Sequence, residues 1–123
     1  MPVVWEFRDT ILAVTESGVV PNEEIERVSV REALLDARSG PGTRLLWDAR
    51  GSQTPLSAED IAWRVDTLSS LAERGLLSRL ALVVRGERRM TVGLGRSEMP
   101  KALRALQFDV FTEESQAVAW LRA

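Results

Sequence analysis

The stretch Arg44 to Gly51, RLLWDARG, constrains the fold more than any other, because a short apolar run ends abruptly in Asp48 and then in a turn. Leu45, Leu46 and Trp47 give the near-continuous apolar segment of a strand covered on both faces, rather than the alternation of one with a wet side. Gly40-Pro41-Gly42 before it, and Gly51 with Pro55 after it, are breakers that argue against a helix. Leu80 to Val84, LALVV, is a second run of the same kind. Strands buried on both faces need a layer of helices on each side, which places the chain in the α/β class. In open α/β sheets, ligands and partners dock outside the carboxyl ends of the parallel strands. Asp48, Arg50, Ser52 and Thr54 fall at that end of the first run, and Arg85, Arg88 and Arg89 at that end of the second.

The flanking sequence fills in the order. Val3 to Arg8 alternates, with Val3, Trp5 and Phe7 on one side and Val4, Glu6 and Arg8 on the other; Asp9-Thr10 then offers a turn before Ile11 to Thr15, which predicts a β-hairpin. Asn22 opens a helix expected to run to about Ala37 or Arg38, with Ile25, Val28 and Leu35 as its stripe and Val30 and Leu34 off it. Ser57-Ala58-Glu59-Asp60 is close to a capping box, Ile61, Val65, Leu68 and Ala72 recur at helical spacing, and Gly75 marks the end of that helix. From Arg89 to Leu106 the pattern is helical but interrupted by Gly93, Gly95 and Pro100, with a break expected near Ser97. Phe108 to Phe111 is a short strand, and Thr112 is placed to cap a last helix burying Ala117, Val118, Trp120 and Leu121. The expectation is a single α/β domain over residues 1–123: a mixed sheet of about five strands, with an amino-terminal hairpin antiparallel to parallel central strands, and about four helices.

Composition narrows the chemistry. A chain of 123 residues suits one domain with its own core. A net charge of −2 and an isoelectric point near 5.2 argue against broad nucleic-acid binding, and no apolar stretch approaches the roughly 20 residues of a membrane span, so stable membrane insertion is not expected. There is no histidine and no cysteine, so the commonest general base and the best thiol nucleophile are missing, and nothing in the residues calls for a cofactor. Glu23, Glu24 and Glu26 match the dipole of a helix start and are read as a solvated face rather than a metal site. With no cysteine to oxidise and no basic region ahead of an apolar one in MPVVWEFRD, a cytoplasmic protein is expected.

The starting hairpin, LLWDARG ending a central strand, the capped second helix, LALVV and the closing FDVFTEESQAVAWL together resemble the SpoIIAA-like branch of the STAS superfamily, small bacterial domains related to the sporulation anti-sigma-factor antagonist. The resemblance covers nearly the whole chain. It implies a non-enzymatic regulatory module that binds an unidentified protein partner and is able to form a homodimer. In the antagonists a phosphorylatable serine lies in an Asp-Ser-Ser/Thr-Gly signature after the central strand; the matching region here reads GSQTPLSAED and lacks it. Ser57 holds a similar place, as a phosphoacceptor candidate whose plainer role is a helix cap.

The binding candidates are therefore Asp48, Arg50, Ser52, Thr54, Ser57, Trp63, Arg85, Arg88 and Arg89. Trp63 points nearly opposite the Ile61, Val65, Leu68 and Ala72 stripe at 100° per residue, so it marks either an interface or a ring covered by a neighbouring segment. The arginines near Arg88 either solubilise the surface or hold an anion. Two alternatives stay open beside the protein-binding module: a small-molecule or lipid-binding domain with an anionic-headgroup site near Arg88, and an enzyme built on carboxylates.

Overall fold

The computed structural model describes residues 3–25, 42–53, 58–86 and 107–123. Its sheet has five strands in the order β1 (Val3–Arg8), β2 (Ile11–Gly18), β3 (Thr43–Ser52), β4 (Leu77–Val83) and β5 (Gln107–Phe111). The helical elements are α1 (Asn22–Ile25), α2 (Ala58–Glu73) and α3 (Glu114–Arg122). β1 and β2 are antiparallel through a two-residue turn, with Arg8 opposite Ile11. Asp9 sits there at φ 57°, the left-handed conformation that such hairpin turns require and that Asp tolerates better than most residues.

Three expectations are corrected. β2 runs parallel to β3, not antiparallel: only β1 opposes the other four strands. A crossover between β2 and β3 returns the chain to the same end of the sheet, so the second hairpin strand must join the parallel set. The helices among the described residues are also fewer than the four or so expected. Among the described residues two helices exceed one turn, α2 and α3, and α1 is a single turn. The rest of the helix expected from Asn22 to about Ala37 or Arg38, and the helical stretch expected from Arg89 to Leu106, lie outside the described residues. The cap of α3 is Glu113, in extended conformation and with no side-chain capping bond, rather than Thr112.

Two apolar layers result. β1 to β5 turn Val3, Leu12, Val14, Leu45, Leu80 and Val110 toward α2, where Leu71 and Ala72 meet them. The opposite face turns Ile11, Ala13, Leu46, Ala81 and Val83 toward Ala117 and Leu121 of α3. β3 and β4 lie side by side in the centre with apolar residues on both faces, as their sequence runs require. Gly75 ends α2 at φ 74°: its N–H donates to the Ala72 carbonyl at 3.0 Å and the Leu76 N–H to the Leu71 carbonyl at 3.0 Å, a Schellman closure. α3 is held by arginines of the sheet. Arg44 Nη1 donates to the Leu121 carbonyl at 2.6 Å, and Arg79 Nη1 to those of Trp120 and Ala123 at 2.8 and 2.9 Å. Both satisfy carbonyls that the end of a helix leaves without partners, with positive charge at the negative pole of its dipole.

Candidate functional site

Glu16 is the most unusual side chain of the described structure: a carboxylate with 0% exposure near the carboxyl end of β2. The period-two alternation of a strand puts it on the same face as Leu12 and Val14, pointing into the larger apolar layer. A buried charge is tolerable only when paired and hydrogen-bonded. Trp47 Nε1 donates to Oε2 at 3.1 Å, Ser52 Oγ donates to Oε1 at 3.2 Å, and Arg64 Nη2 reaches the same Oε1 at 3.3 Å. Three elements thus meet on one carboxylate. Arg64 comes from α2, where it shares a helical face with Leu68 and Leu71 at the i, i+4, i+7 spacing.

Ser52 reaches Glu16 because the strand changes phase. Thr15 pairs with Asp48, but the next pair is Ser17 with Gly51, so one residue of β2, Glu16, lies across from two of β3, Ala49 and Arg50. This is a β-bulge, a device that re-aims a side chain. Before it, Leu45, Trp47 and Ala49 face the α2 layer, while Asp48 and Arg50 pair on the opposite side. After it, Ser52 is buried on the face of Glu16, three residues beyond Ala49 instead of two or four. The strands close tightly here: a Cβ on Gly51 would stand 3.3 Å from the Glu16 carbonyl oxygen, so this position favours glycine. From the end of β4, Arg85 Nη2 donates to the Ser52 carbonyl at 3.2 Å. Glu16, Trp47, Ser52, Arg64 and Arg85 therefore form one bonded chain across the carboxyl ends of β2, β3 and β4.

A second polar group occupies the opposite face. Arg50 grips Asp48 in a bidentate fork, Nε to Oδ1 at 3.0 Å and Nη2 to Oδ2 at 2.8 Å. Arg8 bridges Glu6 at 2.9 Å and Glu114 at 2.6 Å. Burial pushes the Asp48 carboxyl up, but the bonds from the Arg50 side chain and backbone N–H, with the charges of Arg50 and Arg8, outweigh it and hold the carboxyl below the usual aspartate range. The pairing raises the guanidinium of Arg50 in turn, and that of Arg8 is raised by its bonds to Glu114 and Glu6.

The expected site residues divide accordingly. Ser52 and Arg85 belong to the Glu16 chain, whereas Asp48 and Arg50 bind each other on the other side of the sheet. Trp63 is half-buried and packs against the α2-side core. It stands about 80° round the helix from Leu71 and about 180° from Ala72, so its half-burial comes at the edge of the buried face, on the Leu71 side. Thr54, Ser57, Arg88 and Arg89 lie outside the described residues. Glu16 and Arg64 were not anticipated, although a lone carboxylate on the core side of ILAVTES is a legible signal. Among the described residues, no group of three or more Asp, Glu, His or Cys could hold a metal ion, and no helix is long and apolar enough to cross a membrane.

No protein-family model matches the chain, and no curated protein does. Among solved structures it is similar to an uncharacterised protein of the DUF3478 family with a SpoIIAA-like fold from Shewanella loihica PV-4. The two superpose with a TM-score of 0.61 over 97% of this chain and 91% of the other, at 22% sequence identity. The chain has the SpoIIAA-like fold.

Proposed function

We propose that this protein is a non-enzymatic, STAS-like regulatory module that engages a protein partner through the carboxyl edge of its parallel strands. The observation that carries the reading is the phase change in β3, which spends a β-bulge and a close glycine contact to bring Ser52 and Arg85 together at that edge. Bulges concentrate beside functional sites, and the carboxyl ends of parallel strands are where α/β sheets recognise other molecules. The SpoIIAA-like fold supports a regulatory role. The state of the carboxylates supports a non-catalytic one: Glu16 and Asp48 are both committed to arginine, and neither stands ready as a general base.

Gln53 is exposed at the tip of β3, one residue beyond Ser52, and tests the edge without touching the core. Native mass spectrometry of protein purified from its own host should find a stoichiometric complex, with a second copy or with another protein. Gln53→Arg should abolish that complex, and Arg122→Gln, on the far helix, should leave it intact. A monomer throughout, or equal loss in both variants, overturns the reading.

A further inference from the structure

We infer that α3 is a releasable cover on the second apolar layer, fastened by arginines at its two ends, that lifts from the sheet as a unit while the five strands stay paired. What α3 buries carries the argument. Of its nine residues, Ala117 and Leu121 are fully buried, and Val118 and Trp120 are half-buried beside them. Fixing the chain costs backbone entropy at every residue, and isolated helices shorter than about 12 to 15 residues are marginal in water. α3 is therefore helical while it is docked and not otherwise, so undocking and unfolding of this segment are one event. Two fully buried side chains, one of them an alanine, leave much of the docking to polar ties.

Those ties sit at the ends of the helix and come from the sheet. At the carboxyl end, Arg44 and Arg79 donate to the carbonyls of Leu121, Trp120 and Ala123, and the Arg79 guanidinium also lies 5.4 Å from the centre of the Trp120 ring. At the amino end Glu113 makes no side-chain capping bond, and Glu114 does the fastening: Arg8 of β1 bonds Oε1 at 2.6 Å, and Arg50 of β3 approaches Oε2 at 3.9 Å. Arg122 adds a 3.5 Å contact with Asp9 at the hairpin turn. Arg8 and Arg50 each hold a second carboxylate on their own strand, Glu6 and Asp48, so both keep a partner when Glu114 leaves. The strands do not depend on α3 for their pairing: β3 and β4 are bonded through their backbones and are packed on the other face in the α2-side core. Segments that open below the global unfolding free energy are those with few buried apolar contacts, and α3 fits that description. Its release uncovers Leu46, Ala81 and Val83 on the two central strands.

Native-state amide hydrogen exchange on the whole chain, resolved by residue with NMR, tests the inference. The amides from Ala117 to Leu121 should exchange at least tenfold faster than those of β3 and β4, which serve as the reference within the same sample. Arg79→Gln removes the ties to Trp120 and Ala123, and should speed α3 exchange by about a further tenfold, the loss expected for one charge-assisted bond, while the β3 and β4 amides keep their rates. Arg8→Gln should act in the same direction and more weakly, because its bond to Glu114 is exposed. Should Arg79→Gln prove too unstable to measure, Arg8→Gln carries the test, since Arg8 lies on the outer strand and its side chain is exposed. Exchange of α3 at the rate of β3 and β4 in the parent makes it part of the global folding unit and overturns the inference. So does a variant that accelerates helix and strands equally, or a pair of variants that leaves α3 exchange unchanged.

Discussion

Removing Arg64 and Glu16 singly and together gives the sharpest test of the buried network. Arg64→Met takes its arginine from a carboxylate at 0% exposure that Trp47 and Ser52 also bond. Breaking a buried ion pair from one side costs about 3 to 5 kcal/mol. The partial exposure of Arg64 and the length of its bond place this case at the low end, about 3 kcal/mol. Glu16→Gln keeps an acceptor oxygen for one donor but turns an amide N–H₂ toward the others, a cost of about 2 kcal/mol for donors left facing one another. Once the carboxylate is gone, the loss of Arg64 removes little beyond the packing of its stem, so the double variant should be destabilised by about 3 kcal/mol rather than 5. The coupling of about 2 kcal/mol is well inside the range of groups in direct contact. Urea denaturation reads it: at a slope of about 1 to 3 kcal/mol per molar, Arg64→Met should lower the midpoint by at least 1 M without changing the slope. If the two losses add to within about 0.5 kcal/mol, as they do for independent sites, Arg64 does not stabilise the charge of Glu16 and the account of the network fails.

Gly75→Ala meets no atom within 4 Å, so its cost is the left-handed backbone alone, about 1 kcal/mol by equilibrium unfolding; a neutral result would mean that α2 ends by another route. Asp48 has its carboxyl depressed in the folded state, so its pairing with Arg50 stabilises the fold above the ordinary aspartate range and is lost as pH falls through the lower folded value. The stability gap between the parent and Asp48→Asn should therefore be constant from neutral pH down to about 4 and close in stronger acid, and a gap that persists there contradicts the assignment. Trp63→Ala should lower monomer stability by about 2 kcal/mol, less than the 3 to 5 kcal/mol of a fully buried tryptophan, because the ring packs on the core while half-buried. An unchanged midpoint would return Trp63 to the surface.

The strands were legible because each is short, apolar and bounded by breakers, and a strand needs only local alternation to be recognised. Gly75 was legible for a similar reason, since a helix end closed by a left-handed residue has few alternatives to glycine. Helix α2 was legible in part: Leu68 and Ala72 of the expected stripe pack in the core, but a stripe alone does not say whether a ring far round the helix, such as Trp63, is open or covered, and here it is half-buried against the core. The site was the hardest part to read, for a reason that lies in the phase of β3. Strict alternation from Leu45 puts Asp48, Arg50 and Ser52 on one face and so gathers them into a single edge. The bulge opposite Glu16 separates them, sending Asp48 and Arg50 to the α3 side and Ser52 to the α2 side. Nothing in RLLWDARGS announces an extra residue except Gly51, whose need becomes apparent only when the neighbouring strand lies within 3.3 Å of its missing side chain. A single-residue slip in a strand exchanges the faces of everything beyond it, so the position of a bulge decides which polar residues can act together. Here it joins Ser52 to the buried carboxylate and both arginines rather than to the Asp48 pair.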